Sequence, residues 1–216
     1  LAKSQHQALE DPDLSYFIQG SPDFEAYVSD MLWCQNYARK NRGLMMSVAL
    51  ADLVKVVGTG QEVNRINCPH NYCEQEWHSE LTELGTHVRG QWVWVTRKGA
   101  IRAQLGDMGV IPGSMATGSF IVRGKENPLS YNSASHGAGR TMSRGQAKRE
   151  LTEESLRESM KGIAWVGDAK GLLDEHRDAY KSLGDVMAAQ ESLVTVVHSL
   201  KTIANYKGVD SGHRRH

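Results

Sequence analysis

The sequence predicts an α+β fold in which glycine-rich β-strands are flanked by long helices. Three observations carry that prediction. A long helical pattern opens after Ser21. Short β-branched and aromatic runs, separated by glycines, fill the middle third. Apolar residues at helical spacing return in the last third. The chain has 216 residues, 40% of them apolar and 23% charged, which suits one globular domain with a core of ordinary size.

Ser21-Pro22-Asp23 reads as a helix start: a capping hydroxyl, a proline in the first turn and an acid against the positive dipole end. Phe24, Val28, Met31, Leu32 and Ala38 then fall on one face, and the helix is expected to run to about Val57 with Gly43 as a candidate break. That apolar stripe is expected to pack in a core. Gln91–Thr96 and Ser119–Arg123 are β-branched or aromatic and read as strands. Glycines at 99, 106, 109, 113, 118, 124, 137 and 139 mark turns and close backbone approaches. Thr152 caps a predicted helix bearing Leu156, Met160 and Ile163. Val186, Ala189, Leu193, Val197 and Leu200 place a further helix over 184–200. No linker is visible, so a single domain is expected.

There is no run of 18 apolar residues, so no membrane partner is expected. Cys34, Cys68 and Cys73 do not form a disulfide framework. No signal-peptide pattern is present, and a cytoplasmic setting is expected. The formal charge is zero, with 25 basic and 25 acidic residues. That total hides a division. Residues 1–86 carry net −6, residues 87–149 net +8 and residues 150–216 net −2. The middle segment would attract a polyanion unless the acidic parts fold back on it.

Four constellations could carry chemistry. Cys68-Pro69-His70-Asn71-Tyr72-Cys73 offers soft ligands, but without the second pair of a closed zinc site. His70 is either a satisfied turn histidine or one metal ligand completed from elsewhere. Ser135-His136-Gly137-Ala138-Gly139-Arg140, with Arg144 behind it, sets a histidine among glycines. It reads as a phosphate-binding turn or as a nucleophile toward phosphorus. Ile111–Ser119 is a glycine loop whose hydroxyls and amides suit an anion nest, or simply a turn. Lys207 lies near the C-terminus in Asn205-Tyr206-Lys207-Gly208.

Taken together, CPHNYCEQE (68–76), VTRKGAIRA (95–103), IPGSMATGSF (111–120), SHGAGRTMSR (135–144), DAYK (178–181) and NYKG (205–208) resemble the RtcB family of RNA-splicing ligases in order and spacing. The similarity runs through nearly the whole chain and includes a long helix at 21–46. It implies an RtcB-like fold and a GTP- and Mn²⁺-dependent RNA ligase. Such an enzyme joins 3′-phosphate or 2′,3′-cyclic phosphate ends to 5′-hydroxyl ends through a histidine–GMP intermediate. By motif, His136 would be the guanylylated residue and His70 a metal ligand. Asn71, Pro112, Gly113, Ser114, Met115, Ser119, Gly137, Ala138, Gly139 and Lys207 would bind the nucleotide, with Tyr180 packing near the base.

The resemblance also implies partners: RNA such as tRNA halves or broken RNA, GTP, and an archease-like activator. One departure matters. In the family, the N-terminal half supplies most manganese ligands, and its motifs are missing here. Residues 1–216 are therefore expected to correspond to the C-terminal half of such a ligase and to act with an N-terminal half. The other readings are a non-catalytic RNA- or nucleotide-binding remnant and a zinc protein using Cys68, His70 and Cys73.

Overall fold

The computed structural model describes residues 9–81 and 87–207. The chain forms two compact units, Leu1–Val63 and Asn64–His216, where the sequence suggested one domain.

The first unit is built on α1, Pro22–Val57. Ser21 is its N-cap, and the Ser21 hydroxyl accepts the Phe24 N–H at 3.2 Å. Gly58 ends it in the left-handed region, at φ 85°, and donates to the Val54 carbonyl at 2.8 Å. Gly43 does not break the helix. Its carbonyl instead accepts the Ser47 hydroxyl at 3.1 Å. Phe24, Val28, Met31 and Ala38 share one half-buried face, while Leu32 is exposed. No residue of α1 is fully buried, so the stripe is only partly covered within the described structure. Phe17, ahead of the helix, stacks on Tyr27 at 4.7 Å.

The second unit opens with a long antiparallel hairpin, β1 (Asn71–Leu81) against β2 (His87–Lys98). The short β3 (Ala100–Arg102) follows and pairs with β6 (Ser133–Ser135). Between them β4 (Met108–Pro112) and β5 (Ser119–Gly124) form a second antiparallel pair. Helices α2 (Arg144–Glu150) and α3 (Glu153–Ser159) come next, then β7 (Ala164–Val166). These helices, and α4 (Leu183–Ala189), have seven residues each, so only α1 is long.

The run 184–200, expected as one helix, divides. Its first part is α4. Its second part is a strand, β8 (Val194–Leu200), which completes the sheet β4-β5-β8. The cause is local and tertiary together. Val194-Thr195-Val196-Val197 is β-branched, and β5 offers an open edge whose Val122 and Phe120 face Val196 and Ser199. The last strand, β9 (Ala204–Tyr206), pairs in parallel with β7.

Two apolar cores result. One joins Ile101, Ala103, Ile111, Val122, Ala134 and Val194. The other joins Met115, Leu156, Met160, Ala169, Leu172 and Leu173, with Ile163 packed against it. Leu156, Met160 and Ile163, expected on one helical face, do meet in this core, but α3 ends at Ser159, so Met160 is its C-cap and Ile163 lies beyond it. Gly118, just before β5, lies close against the end of β8: a Cβ there would fall 1.8 Å from the Leu200 carbonyl oxygen.

The inner face of the hairpin carries a buried charge pair. Arg97 grips Glu76 with both guanidinium nitrogens, the Nη2–Oε2 contact being 2.9 Å. Arg97 also donates to the Tyr72 hydroxyl at 3.0 Å, the Ser133 hydroxyl at 3.0 Å and the Tyr131 carbonyl at 2.9 Å. His78 Nε2 lies 2.9 Å from Glu76 Oε2. Burial alone would raise the Glu76 pKa, but the hydrogen bonds from Arg97 and His78 outweigh it and bring it to about 2. The pair therefore stabilises the hairpin above the ordinary carboxylate range, and that contribution is lost as pH falls toward about 2.

Glu76→Gln leaves Arg97 buried without its counter-charge. Urea unfolding at neutral pH is expected to show a loss of about 3–5 kcal/mol, as for a broken buried pair. The gap between variant and wild type narrows as the pH is lowered from 5 toward 2.

Candidate functional site

The site is assembled around the peptide unit of Gly99. Gly99 follows β2 directly, at φ +70°, where a residue with a side chain is strained. Its N–H donates to the His70 carbonyl at 2.7 Å and to Asn71 Oδ1 at 3.1 Å. Its carbonyl accepts the His136 N–H at 3.3 Å and contacts His136 Nδ1 at 2.6 Å. The β3–β6 register, Ala100 against Ser135, sets this up by bringing the residue before β3 opposite the residue after β6.

A carbonyl oxygen only accepts, so Nδ1 of His136 must carry the proton in that bond. In the neutral ring the lone pair then belongs to Nε2. The His136 ring stacks on the His70 ring, with centroids 5.0 Å apart and planes 14° from parallel. His70 is exposed and His136 half-buried. The result is an oriented imidazole whose Nε2 suits attack on phosphorus.

The glycine turn after His136 is held by its own neighbours. The Ser135 hydroxyl donates to the Gly137 carbonyl at 2.7 Å. The Ala138 N–H donates to the Pro112 carbonyl at 3.1 Å, and a Cβ on Gly137 would come within 3.1 Å of that same oxygen. Pro112 thus meets Gly137 and Ala138. The loop from Pro112 to Ser119 closes on itself: the Gly113 N–H reaches the Gly118 carbonyl at 3.0 Å, and the Ser114 N–H reaches the Thr117 hydroxyl. The Ser114 hydroxyl lies 3.1 Å from Thr117 Oγ1. Met115 turns into the second core and is 4% exposed. Ser119 opens β5, opposite Pro112 and Leu200.

A second cluster adjoins the far end of the glycine turn. The Gly139 carbonyl accepts the Lys181 N–H at 3.0 Å, and Arg140 bridges to Tyr180. Arg140 Nη1 donates to the Tyr180 hydroxyl at 2.8 Å, and that hydroxyl donates to Glu175 Oε2 at 2.7 Å. Lys207 Nζ lies 3.1 Å from the same carboxylate oxygen. Arg144 binds Asp174 and, at 3.0 Å, Glu175. Burial, then the Glu175 hydrogen bond, pushes the Tyr180 hydroxyl up to about 12. Burial would raise the Glu175 carboxyl, but Tyr180 and Lys207 hold it below the usual carboxylate range.

The structure therefore brings His70, Asn71 and His136 together on Gly99, while Pro112 meets Gly137 and Ala138, the two residues after His136, with Gly113, Ser114 and Ser119 in the adjoining loop. Lys207 and Tyr180 belong to the second cluster, which Gly139 and Arg140 connect to the first. Arg140 and Arg144, expected to be available to phosphate, are engaged: Arg144 with the Asp174 and Glu175 carboxylates, Arg140 with the Tyr180 hydroxyl and the Asp174 carbonyl. Sequence reasoning missed those two acids because they lie some thirty positions away on a 3-10 turn, Lys170–Glu175, that no local pattern announces. Gly99 is among the glycines expected at turns and close approaches, and its positive φ agrees with that, but its bonds to His70, Asn71 and His136 follow from the fold alone. Gly208 of the NYKG segment lies outside the described residues.

No group of three or more His, Cys, Asp or Glu side chains is placed to hold a metal ion among the described residues. The zinc reading fails on this point. Cys68 packs against the first core, Cys73 accepts the Thr96 hydroxyl at 3.2 Å, and His70 stacks on His136. No disulfide joins Cys34, Cys68 or Cys73. No helix among the described residues is long and apolar enough to cross a membrane.

Known proteins match this sequence. The sequence profile of the family described as tRNA-splicing ligase RtcB matches residues 1–208. The chain belongs to the RtcB family. It is 39% identical over 208 residues to the RNA-splicing ligase RtcB of Escherichia coli strain K12, covering 94% of this chain and 48% of that protein. It is 31% identical over 219 residues to the RNA-splicing ligase RtcB of Mycobacterium tuberculosis, covering 93% and 49%. The tRNA-splicing ligase RtcB of Methanococcus maripaludis is 30% identical over 207 residues, covering 86% and 42%. This RtcB-family chain spans about half the length of the curated relatives it matches.

Gly99→Ala places a Cβ 3.3 Å from His136 Cε1 on a backbone at φ +70°. It is expected to cost about 1–2 kcal/mol in urea unfolding from the left-handed backbone alone. In NMR spectra the wild type should show a hydrogen-bonded Nδ1 proton for His136, and the variant should lose or broaden it.

Proposed function

We propose that this chain carries the nucleotide-transfer centre of an RNA ligase. The ligase joins RNA 3′-phosphate or 2′,3′-cyclic phosphate ends to 5′-hydroxyl ends through a His136–GMP intermediate. The observation that carries the reading is the 2.6 Å contact between His136 Nδ1 and the Gly99 carbonyl, which leaves Nε2 with the lone pair.

Nε2 attacks the α-phosphorus of GTP. A P–N bond forms, the P–O bond to the β-phosphate breaks, and pyrophosphate leaves. An oxygen of the RNA 3′-phosphate then attacks the same phosphorus and breaks the P–N bond, so GMP passes to the RNA end and the imidazole is regenerated. The 5′-hydroxyl attacks the 3′-phosphorus, loses its proton, and expels GMP as the phosphodiester forms. A cyclic phosphate must first be opened by water to give the 3′-phosphate. The loop Pro112–Ser119 and the turn Gly137–Gly139 flank the nucleophile, which supports their assignment to the nucleotide. Lys207, through Glu175, and Tyr180 would face the base from the second cluster.

Mn²⁺, when bound, would neutralise charge on the phosphates. The described residues do not fit a complete site for it. His70 is the one further imidazole beside the nucleophile, and one donor does not hold a catalytic ion. The remaining ligands would come from an N-terminal half, with which this chain would act.

The test is covalent labelling with α-³²P GTP and Mn²⁺. The chain alone is expected not to label. Mixed with the N-terminal half of a relative it should label, and His136→Ala should abolish the signal. No label in the mixture, while the full-length relative labels, overturns the proposal. RNA binding that survives both EDTA and His136→Ala in such an unlabelled chain would favour the non-catalytic RNA-binding reading instead.

A further inference from the structure

The two faces of the β1–β2 hairpin are chemically opposite. Tyr72, Glu74, Glu76 and His78 alternate with the residues of the other face, and they meet Arg97, Val95, Val93 and Gln91 across the strands. That face is closed over the Glu76–Arg97 pair. The other face presents Asn71, Cys73, Gln75, Trp77 and Ser79 from β1, and Trp92, Trp94, Thr96 and Lys98 from β2. No carboxylate stands on it among residues 71–79 and 90–98, because Glu74 and Glu76 both point the other way.

Trp77 and Trp92 are direct cross-strand partners, edge to face at 5.8 Å, and remain 54% and 62% exposed. Burial of both rings is the ordinary outcome for residues of this size, so two open indoles side by side mark a surface with a partner. Gly90 explains how Trp77 lies: a Cβ there would fall 2.2 Å from Trp77 Cζ2, so the indole rests over the bare backbone of β2. An indole lying across a strand offers a flat face outward.

This aromatic face is continuous with the site around His136. It runs down β2 from Trp92 past Trp94 to Lys98, a distance of about 20 Å at strand rise. It ends at the pair Asn71–Lys98, beside the Gly99 peptide that holds His136. Lys98 is exposed and makes no ion pair among the described residues. Stacking surfaces in line with a free cation, on a face without acids, fit unpaired bases and a phosphate backbone. A double helix hides its base faces and could not use them.

We propose that the open face of the hairpin, with Trp77 and Trp92 as stacking platforms and Lys98 as a phosphate contact, binds single-stranded RNA and leads its end to His136. The inference rests on the RNA ligase reading for the identity of its ligand. It does not need the nucleotide-transfer step, so its test is done without GTP or Mn²⁺.

The experiment measures anisotropy of a labelled oligouridine bearing a 3′-phosphate, titrated with the full chain. Trp77→Ala and Trp92→Ala should each weaken binding roughly tenfold, and Trp92→Phe should restore most of it. Circular dichroism confirms that each variant is folded. If an alanine variant does not fold, crosslinking of 4-thiouridine RNA to the wild-type chain replaces it. Crosslinks are then expected on the peptides containing Trp77, Trp92 or Trp94.

Unchanged affinity in folded alanine variants, no RNA binding by the wild type, or equal affinity for the duplex form each overturns the proposal. So does a change in oligomeric state on Trp92→Ala with RNA affinity unaltered, which would assign the face to a second copy. If binding behaves as expected while the complemented chain fails to label with GMP, the nucleotide-transfer reading falls and this surface stands.

Discussion

The peptide unit of Gly99 is bonded at both ends, and the site exists because of that. Its N–H fixes the turn at His70 and the Asn71 side chain, and its carbonyl fixes His136. These groups lie in segments separated by some thirty positions on either side. The hairpin and the β3–β6 pair set the position of Gly99, so the register of two small sheets is converted into the orientation of one imidazole. A hydrogen bond from Nδ1 to a carbonyl selects the tautomer as well as the ring position. That couples the fold to reactivity, since the ring nitrogen left with the lone pair is the one that faces away from the backbone.

Charge is arranged with the same economy. The net +8 middle segment suggested a broad basic surface. In the fold, Arg97 is consumed by Glu76, Arg102 by Asp107 and Glu74, and Arg144 by Asp174 and Glu175. The acidic C-terminal third thus returns to neutralise part of the segment. Lys98, at the end of the hairpin's open face, makes no ion pair among the described residues, and neither do the exposed Arg123 and Arg149. Long-range attraction of a polyanion is reduced by this pairing, while a directed contact next to the candidate nucleophile is kept.

Much of the fold was legible. The α1 start at Ser21 and its length, the strands around 91–96 and 119–123, and the α3 start at Thr152 with Leu156 buried follow from capping chemistry and periodicity. The misreading at 184–200 is instructive, because Val186, Ala189, Leu193, Val197 and Leu200 satisfy a helical period while Val194–Val197 is β-branched. The open edge of β5 decided between the two. The site was legible as motifs: His136 among glycines, His70-Asn71, and the Pro112–Ser119 loop. Their mutual contacts were not. Nothing local announced that Glu175 would gather Tyr180, Lys207 and Arg144, or that Met115 would turn into a core.

The sequence by itself determined the α+β character, the family, the candidate nucleophile and the residues flanking it, because capping, periodicity and short motifs are properties of neighbours in the chain. Tertiary structure alone decided which nitrogen of His136 is bonded, which arginines are already engaged, and which face of the hairpin stays open. Each of those depends on strand register and on side chains meeting across distant segments. A shift of one residue would exchange the two faces of the hairpin, and no local pattern encodes that choice.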